Sequence, residues 1–138
     1  MSDGARGQAL IEAAVTLPIL IALLLGFLGA GVGAQGYVDL NTAVYLAAAS
    51  NATAYAADPT DANQFAMDTY THTLAHDSLL QDNGFFCAGN YAADGNVTCQ
   101  GSAVLRFSRT PLAIAIPFDP TITASATAHR SKYRSVHP

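Results

Sequence analysis

Residues 10–39 read LIEAAVTLPILIALLLGFLGAGVGAQGYVD, and from Ala13 to Gly36 no side chain is ionisable. As a helix, that run of about 24 residues rises 1.5 Å per residue to about 36 Å, enough for the hydrocarbon core of a bilayer with some tilt. Leu17 to Leu28 is the densest part. The rest of the chain is too small and too polar to wrap such a helix on every side, so a buried helix of a water-soluble fold is disfavoured. Pro18 would break a helix in water but is tolerated as a kink in a membrane or a bundle. Gly26, Gly29, Gly31 and Gly33 follow. They either admit a neighbouring helix or fill an apolar span.

Composition agrees with a small unit on an anchor. Of 138 residues only 12% are charged, well below the quarter usual in soluble domains, and the net charge is -4. No Lys or Arg occurs between Arg6 and Arg106, which leaves no continuous phosphate-binding track, so a nucleic-acid partner is not expected. Arg6 precedes the span and Asp39 follows it. That order favours a cytoplasmic N-terminus and a C-terminal part on the outer side.

Beyond Gly36, apolar residues at Tyr37, Leu40, Val44, Ala48 and Tyr55 keep helical spacing and carry the helix on to about Ala57, where Asp58-Pro59 stops it. A second helix is expected from Thr60 or Asp61 to Gln81, ended by Asn83-Gly84. Phe85 and Phe86 would seat the loop that follows. Strands are expected at Ala103–Ser108, Leu112–Phe118 and Ile122–Ala128, set apart by Thr110-Pro111 and Asp119-Pro120. The fold class is therefore α+β: a long N-terminal helix, a second helix and a small antiparallel sheet. The last ten residues, HRSKYRSVHP, read as a basic tail.

Cys87 and Cys99 are the only cysteines, around the polar stretch AGNYAADGNVT. In an oxidising compartment they read as one loop-closing disulfide, contributing on the order of 3 kcal/mol. A redox pair would favour Cys-x-x-Cys, which is absent. Asp68, His72 and His76 fall at i, i+4 and i+8. A polar helix face explains that row better than a metal site, so no metal is expected. Asn51-Ala-Thr53 and Asn96-Val-Thr98 match the glycosylation sequon. Nucleotide loops, a G-x-S-x-G elbow and a convincing acid pair are all missing. The chain reads as neither an enzyme nor a cofactor carrier.

The boundary before the span carries the sharpest motif. RGQALIE places Glu12 at the fifth position after Gly7, directly ahead of the apolar helix. A carboxylate there is costly without a partner. This stretch resembles the processing site of type IV prepilins, and RGQALIEAAVTLPILIALLLGF is similar in particular to the TadE/TadG group of pseudopilin-like proteins. Arg6, Gly7, Glu12, Leu17 and Pro18 match residue by residue, while Ala13 stands where related small pilins often carry an aromatic. The resemblance covers residues 6 to about 57. It implies a leader of residues 1–7, cleavage by a prepilin peptidase between Gly7 and Gln8, a transmembrane helix over 8–36 and a small extracytoplasmic domain over 37–138. It also implies a bacterial inner-membrane location and an assembly role for Glu12, whose charge would meet the new amino terminus of a neighbouring subunit. The expected partners are the lipid bilayer, the peptidase, other pilin-like subunits and assembly-platform proteins of a Tad/Flp-type pilus or secretion system.

Two alternatives stand beside this. Val32 and Ala34 could form a signal-peptidase site releasing a chain that starts at Gln35. The chain could also be a membrane-tethered or secreted binding module acting through the Phe85–Gln100 loop.

Overall fold

A computed structural model describes residues 3–54, 58–92 and 94–131, with backbone alone for residues 3–7 and 9. The architecture is α+β. Helix α1 (Asp3–Thr53) is a single element of 51 residues, about 76 Å long at 1.5 Å per residue. Pro18 lies inside it and has no N–H to offer the Ala14 carbonyl. The helix ends at Thr53, short of the expected Ala57, and residues 55–57 lie outside the described residues. The hydroxyls of Ser50 and Thr53 donate to the carbonyls of Ala47 and Ser50. The Ala54 N–H turns back three residues to Asn51. Such local bonds tighten and close a last turn.

Asp58 opens helix α2 (Pro59–Leu74). Its carboxylate accepts the Thr60 N–H at 2.8 Å, and that hydrogen bond holds the Asp58 carboxyl below its ordinary range. Pro59 occupies the first turn, where a missing donor costs nothing. The expected end at Gln81 is wrong. Asp77 takes the Leu79 N–H on its side chain at 2.8 Å, an Asx turn that redirects the backbone. Strand β1 (Leu80–Gly89) then begins. The Asn83-Gly84 pair is a bulge within β1, where the register shifts between Asp82 and Gly84. Gly84 has φ +146°, a value that L side chains rarely adopt.

Strand β2 (Asn96–Leu105) pairs antiparallel with β1 and with β3 (Thr121–His129), in the order β1-β2-β3. The expected third strand, Ile122–Ala128, is β3. The other two strand assignments need correction. Residues 103–105 are the end of β2, and Phe107–Arg109 form a 3-10 turn. The expected strand Leu112–Phe118 is instead overlapped by a second 3-10 turn, Pro111–Ile114. Pro111 and Pro117 lack the donors a strand requires, and the Thr110 hydroxyl takes the Leu112 N–H at 3.2 Å. Most of the expected basic tail, residues 132–138, lies outside the described residues.

The core forms on one stripe of α1: Leu40, Ala43, Val44, Ala47, Ala48 and Asn51, all buried. Ala62, Ala66, Tyr70 and Leu74 of α2 close on it at four-residue spacing. From the sheet come Val97, Cys99, Gly101, Ala103 and Leu105, the alternate and fully inward residues of β2. Small residues on both sides let sheet and helices approach closely. A Cβ on Gly101 would stand 2.6 Å from Val44 Cγ2 and 2.9 Å from the Tyr70 ring. Tyr70 stacks on Phe85 at 4.4 Å between centroids and donates its hydroxyl to the Ser102 carbonyl at 3.2 Å. Burial, with the negative charge of Asp82 nearby, pushes its ionisation upward.

Gly101→Val should therefore cost about 1–3 kcal/mol by overpacking, seen as a lower denaturation midpoint, whereas Gly31→Ala, which meets nothing within 4 Å, should not destabilise the fold. A raised Tyr70 pKa also fixes the sign of an alkaline effect. An unfolded Tyr ionises near about pH 10 while the folded one holds its proton, so stability is full below about pH 10 and declines above it. Denaturant titrations at rising pH should show that decline, and Tyr70→Phe should reduce it.

Candidate functional site

Helix α1 passes through two environments. From residue 40 onward its inner stripe is buried in the α+β unit. Between Leu10 and Leu28, every large apolar side chain except half-buried Leu25 is exposed, Phe27 to 85%. Most of this segment is thus not the core of anything within the chain. It is a long apolar N-terminal helix of the kind that forms a single membrane span or a signal segment.

At its start the backbone is helical through Gly7, Gln8 and Glu12, without a break at Gly7. Glu12 is exposed. Gln8 Nε2 donates to Glu12 Oε1 at 3.4 Å, and the Thr16 hydroxyl donates to the Glu12 carbonyl at 2.6 Å. Among the described residues no cation is paired with this carboxylate.

The glycines at positions 26, 29, 31 and 33 are not equivalent. Gly29 is buried, and a Cβ there would come within 2.5 Å of Ile116 Cδ1. Gly26, Gly31 and Gly33 meet nothing within 4 Å. One exposed row of α1 has its own order. Leu17, Leu20, Leu24, Phe27, Gly31, Ala34, Val38, Asn41 and Tyr45 recur at alternating spacings of three and four, and all are exposed; at its far end Asn41 and Tyr45 border β3 beside Ser125. Such alternation is the period of a helix–helix seam. It runs for about 42 Å and passes beyond Gly36, where the non-ionisable stretch ends. Sequence reading missed it because hydrophobicity within the span is high on every face. Only the position of the domain, which leaves this row uncovered, singles it out.

The Phe85–Gln100 segment is not an open loop. Cys87 and Cys99 face each other as register partners on β1 and β2 and form the disulfide, with their Cα atoms 4.0 Å apart. Most of the segment is strand, in Leu80–Gly89 and Asn96–Leu105. The ends of the connection between them are tied by the Asn90 N–H to the Asn96 carbonyl and by the Arg130 N–H to the Gly95 carbonyl. Phe85 is half-buried against the core, while Phe86 is exposed. A shallow groove runs past Tyr37, Asn41, Phe86, Gln100 and Ser125, with no titratable pair or nucleophile–base pair along it.

The remaining candidates also fall into place. Asn51 is fully buried and donates to Asn63 Oδ1 at 2.8 Å, an oxygen that also accepts from the Tyr91 hydroxyl. It is therefore inaccessible as a glycan acceptor in the folded chain. Asn96 is exposed at the turn and bonds His129 at 2.9 Å. The Asp68, His72, His76 row is interrupted, because α2 stops at Leu74. The two imidazoles meet edge to face at 5.3 Å, and among the described residues no three metal-ligating side chains converge.

Comparison of the chain with protein-family models, with curated proteins and with solved structures finds no match. The functional reading therefore rests on the residues themselves. If the exposed half of α1 belongs in a bilayer, charge on it should be intolerable. Leu20→Arg and Leu24→Arg should each oppose insertion by about 3 kcal/mol. The double variant should move the chain from the alkali-resistant membrane fraction to the extractable one.

Proposed function

We propose that the protein is a pilin-like structural subunit, a pseudopilin or minor pilin of a Tad/Flp-type pilus assembly or secretion system. It would be anchored in the bacterial inner membrane by α1, with its N-terminus cytoplasmic and the α+β unit outside. The observation that carries this reading is the exposed seam on α1. A helix that serves only as an anchor has no need of an ordered apolar row beyond the bilayer. Here Val38 and Tyr45 extend that row past Gly36 and stay exposed, Tyr45 at the edge of β3 beside Ser125, Ala126 and Thr127. Helices bearing such rows associate side by side, and the small domains then stand outward from a common helical core.

Three further features support the reading. Gly7, Gln8 and Glu12 have the prepilin spacing, so cleavage by a prepilin peptidase would leave Glu12 as the fifth residue of the mature chain. The new amino terminus of one subunit is then a suitable partner for the Glu12 carboxylate of the next, since a carboxylate in a low-dielectric assembly requires a counter-charge. The Cys87–Cys99 disulfide suits an oxidising extracytoplasmic compartment. The chemistry asked of the chain is packing and charge pairing, with no reaction to catalyse.

Sequencing the amino terminus of the protein from its native host tests the processing. Gln8 is expected, Gln35 would mark signal-peptidase release, and an intact Met1 would leave a plain anchor. Glu12→Ala should still be cut at Gly7 but fail to enter assemblies recovered after crosslinking. Val38→Lys and Tyr45→Lys lie on exposed positions, where folding costs stay within about 0.5 kcal/mol. They should leave insertion and the domain intact while reducing crosslinked assemblies. Normal assembly in all three variants would refute the subunit role.

A further inference from the structure

Between β2 and β3 the chain leaves the sheet and travels back along α1 toward its N-terminus. The segment Pro111–Phe118 reads PLAIAIPF and has no polar side chain. Two contacts fix its height. Leu105, ending β2, lies over Gly36, where an added Cβ would meet Leu105 Cδ1 at 2.8 Å. Ile116 lies over Gly29. Seven residues separate those glycines, so the loop sits about 10 Å further down the helix than the base of the sheet. Half-buried Leu25 and Val32 complete the covered side of α1.

The depth can be set against a bilayer. With Glu12 at the inner boundary, Gly29 is about 24 Å above Ala13, and a hydrocarbon core is about 30 Å thick. Ile116 then stands about 6 Å inside the outer edge of the apolar layer. The loop is built for that environment. Ile114 is 93% exposed and Phe118 64%, with no described residue covering them. Six of its eight positions need no outside partner for a backbone donor. Pro111 and Pro117 have none, the Leu112 N–H goes to the Thr110 hydroxyl, and those of Ala113, Ala115 and Ile116 go to Thr110 and Leu112 carbonyls. Internal satisfaction of this kind is what backbone entering lipid requires. Polar groups gather at the neck instead. Asp119 accepts the Ser108 N–H at 2.9 Å and its hydroxyl at 2.7 Å, and Arg109 is exposed beside them, where a lipid phosphate would lie.

We propose that Pro111–Phe118 is a second membrane contact, a wedge that places Ile114 and Phe118 among the acyl chains of the outer leaflet with Arg109 at the phosphate level. The proposal rests on reading α1 as a membrane span. Its occupant is lipid, because the loop continues the apolar surface of α1 at the depth where that surface meets bilayer. Two attachments on one rigid body would fix the tilt and rotation of the domain over the membrane, which a single helix leaves free.

The chain contains no Trp, so single substitutions make clean depth probes. Full-length Leu20→Trp, Ile114→Trp, Phe118→Trp and Phe65→Trp chains are reconstituted into phosphatidylcholine–phosphatidylglycerol vesicles whose acyl chains carry bromine near the glycerol or near the methyl end. Ile114→Trp and Phe118→Trp should lose most of their emission to the shallow bromine and little to the deep one. Leu20→Trp should respond to the deep bromine, and Phe65→Trp, beside the distal end of α1, to neither. Quenching of Leu20→Trp with none at positions 114 and 118 would overturn the wedge and leave the span standing. Absence of quenching at Leu20→Trp would remove the span and the wedge together. Emission at 114 or 118 that is unquenched yet shifts to the blue as protein-to-lipid ratio rises would assign the loop to a second copy of the chain, which also overturns it.

Discussion

Everything in the α+β unit depends on how closely backbone can approach one stripe of α1. Ala43, Ala47 and Ala48 present little more than main chain, and β2 answers with Gly101 and Ala103 in its inward positions. The sheet therefore settles almost onto the helix, and Tyr70 fills the remaining space with its ring against Phe85 and its hydroxyl on the Ser102 carbonyl. Dispersion at such short range is collectively large and is lost steeply when surfaces are held apart. A small domain with few bulky residues can cohere in this way. Among the described residues two aromatic rings lie in its core, Tyr70 with no exposed surface and Phe107.

The same economy explains what was legible in the sequence and what was not. The apolar helix and the Ile122–Ala128 strand carry strong local signals and are found where they are read, while α2, expected from Thr60 or Asp61, begins at Pro59 behind the Asp58 cap. Strand β2 was obscured because close packing demands Cys, Gly and Ala at its inward positions, residues that lack β propensity. The alternation Val97, Cys99, Gly101, Ala103, Leu105 was the usable clue. Asn83-Gly84 marks a backbone irregularity correctly, but a bulge and a helix end share that signature. The PLAIAIPF segment alternates like a strand although its prolines forbid one. Its true character shows only when its height along α1 is known. The motif at Gly7 and Glu12 was legible as spacing, while the seam that gives it a physical setting was hidden inside a uniformly apolar stretch.

Polar chemistry in the chain is arranged to hold geometry. Asp58, Asp77, Asp82 and Asp119 each accept backbone N–H groups at turns or caps. Asn51, Asn63 and Tyr91 join the end of α1 to α2 and to the hairpin turn. Arg130 then reaches from the end of β3 over the Tyr91 ring to the Ala54 carbonyl. Bonds of this type are individually modest, but they gather where the helices and the sheet have no apolar residues left to share. Glu12 differs from all of these acids, since its side-chain contact is to Gln8 one turn away on the same helix.

The shared use of α1 has a consequence for how the protein can be divided. A hydropathy profile suggests cutting after Gly36 to obtain a soluble ectodomain, but Leu105 is seated on Gly36 and Ile116 on Gly29. Such a cut would expose the undersides of both and remove part of the wall against which the loop is shaped. Cutting after α1 would be worse, because the inner stripe of that helix is one side of the core. The apolar half of α1 and the α+β unit therefore are not modules joined by a linker. They are one folding unit built along a shared helix, and neither can be swapped onto another partner without rebuilding the other.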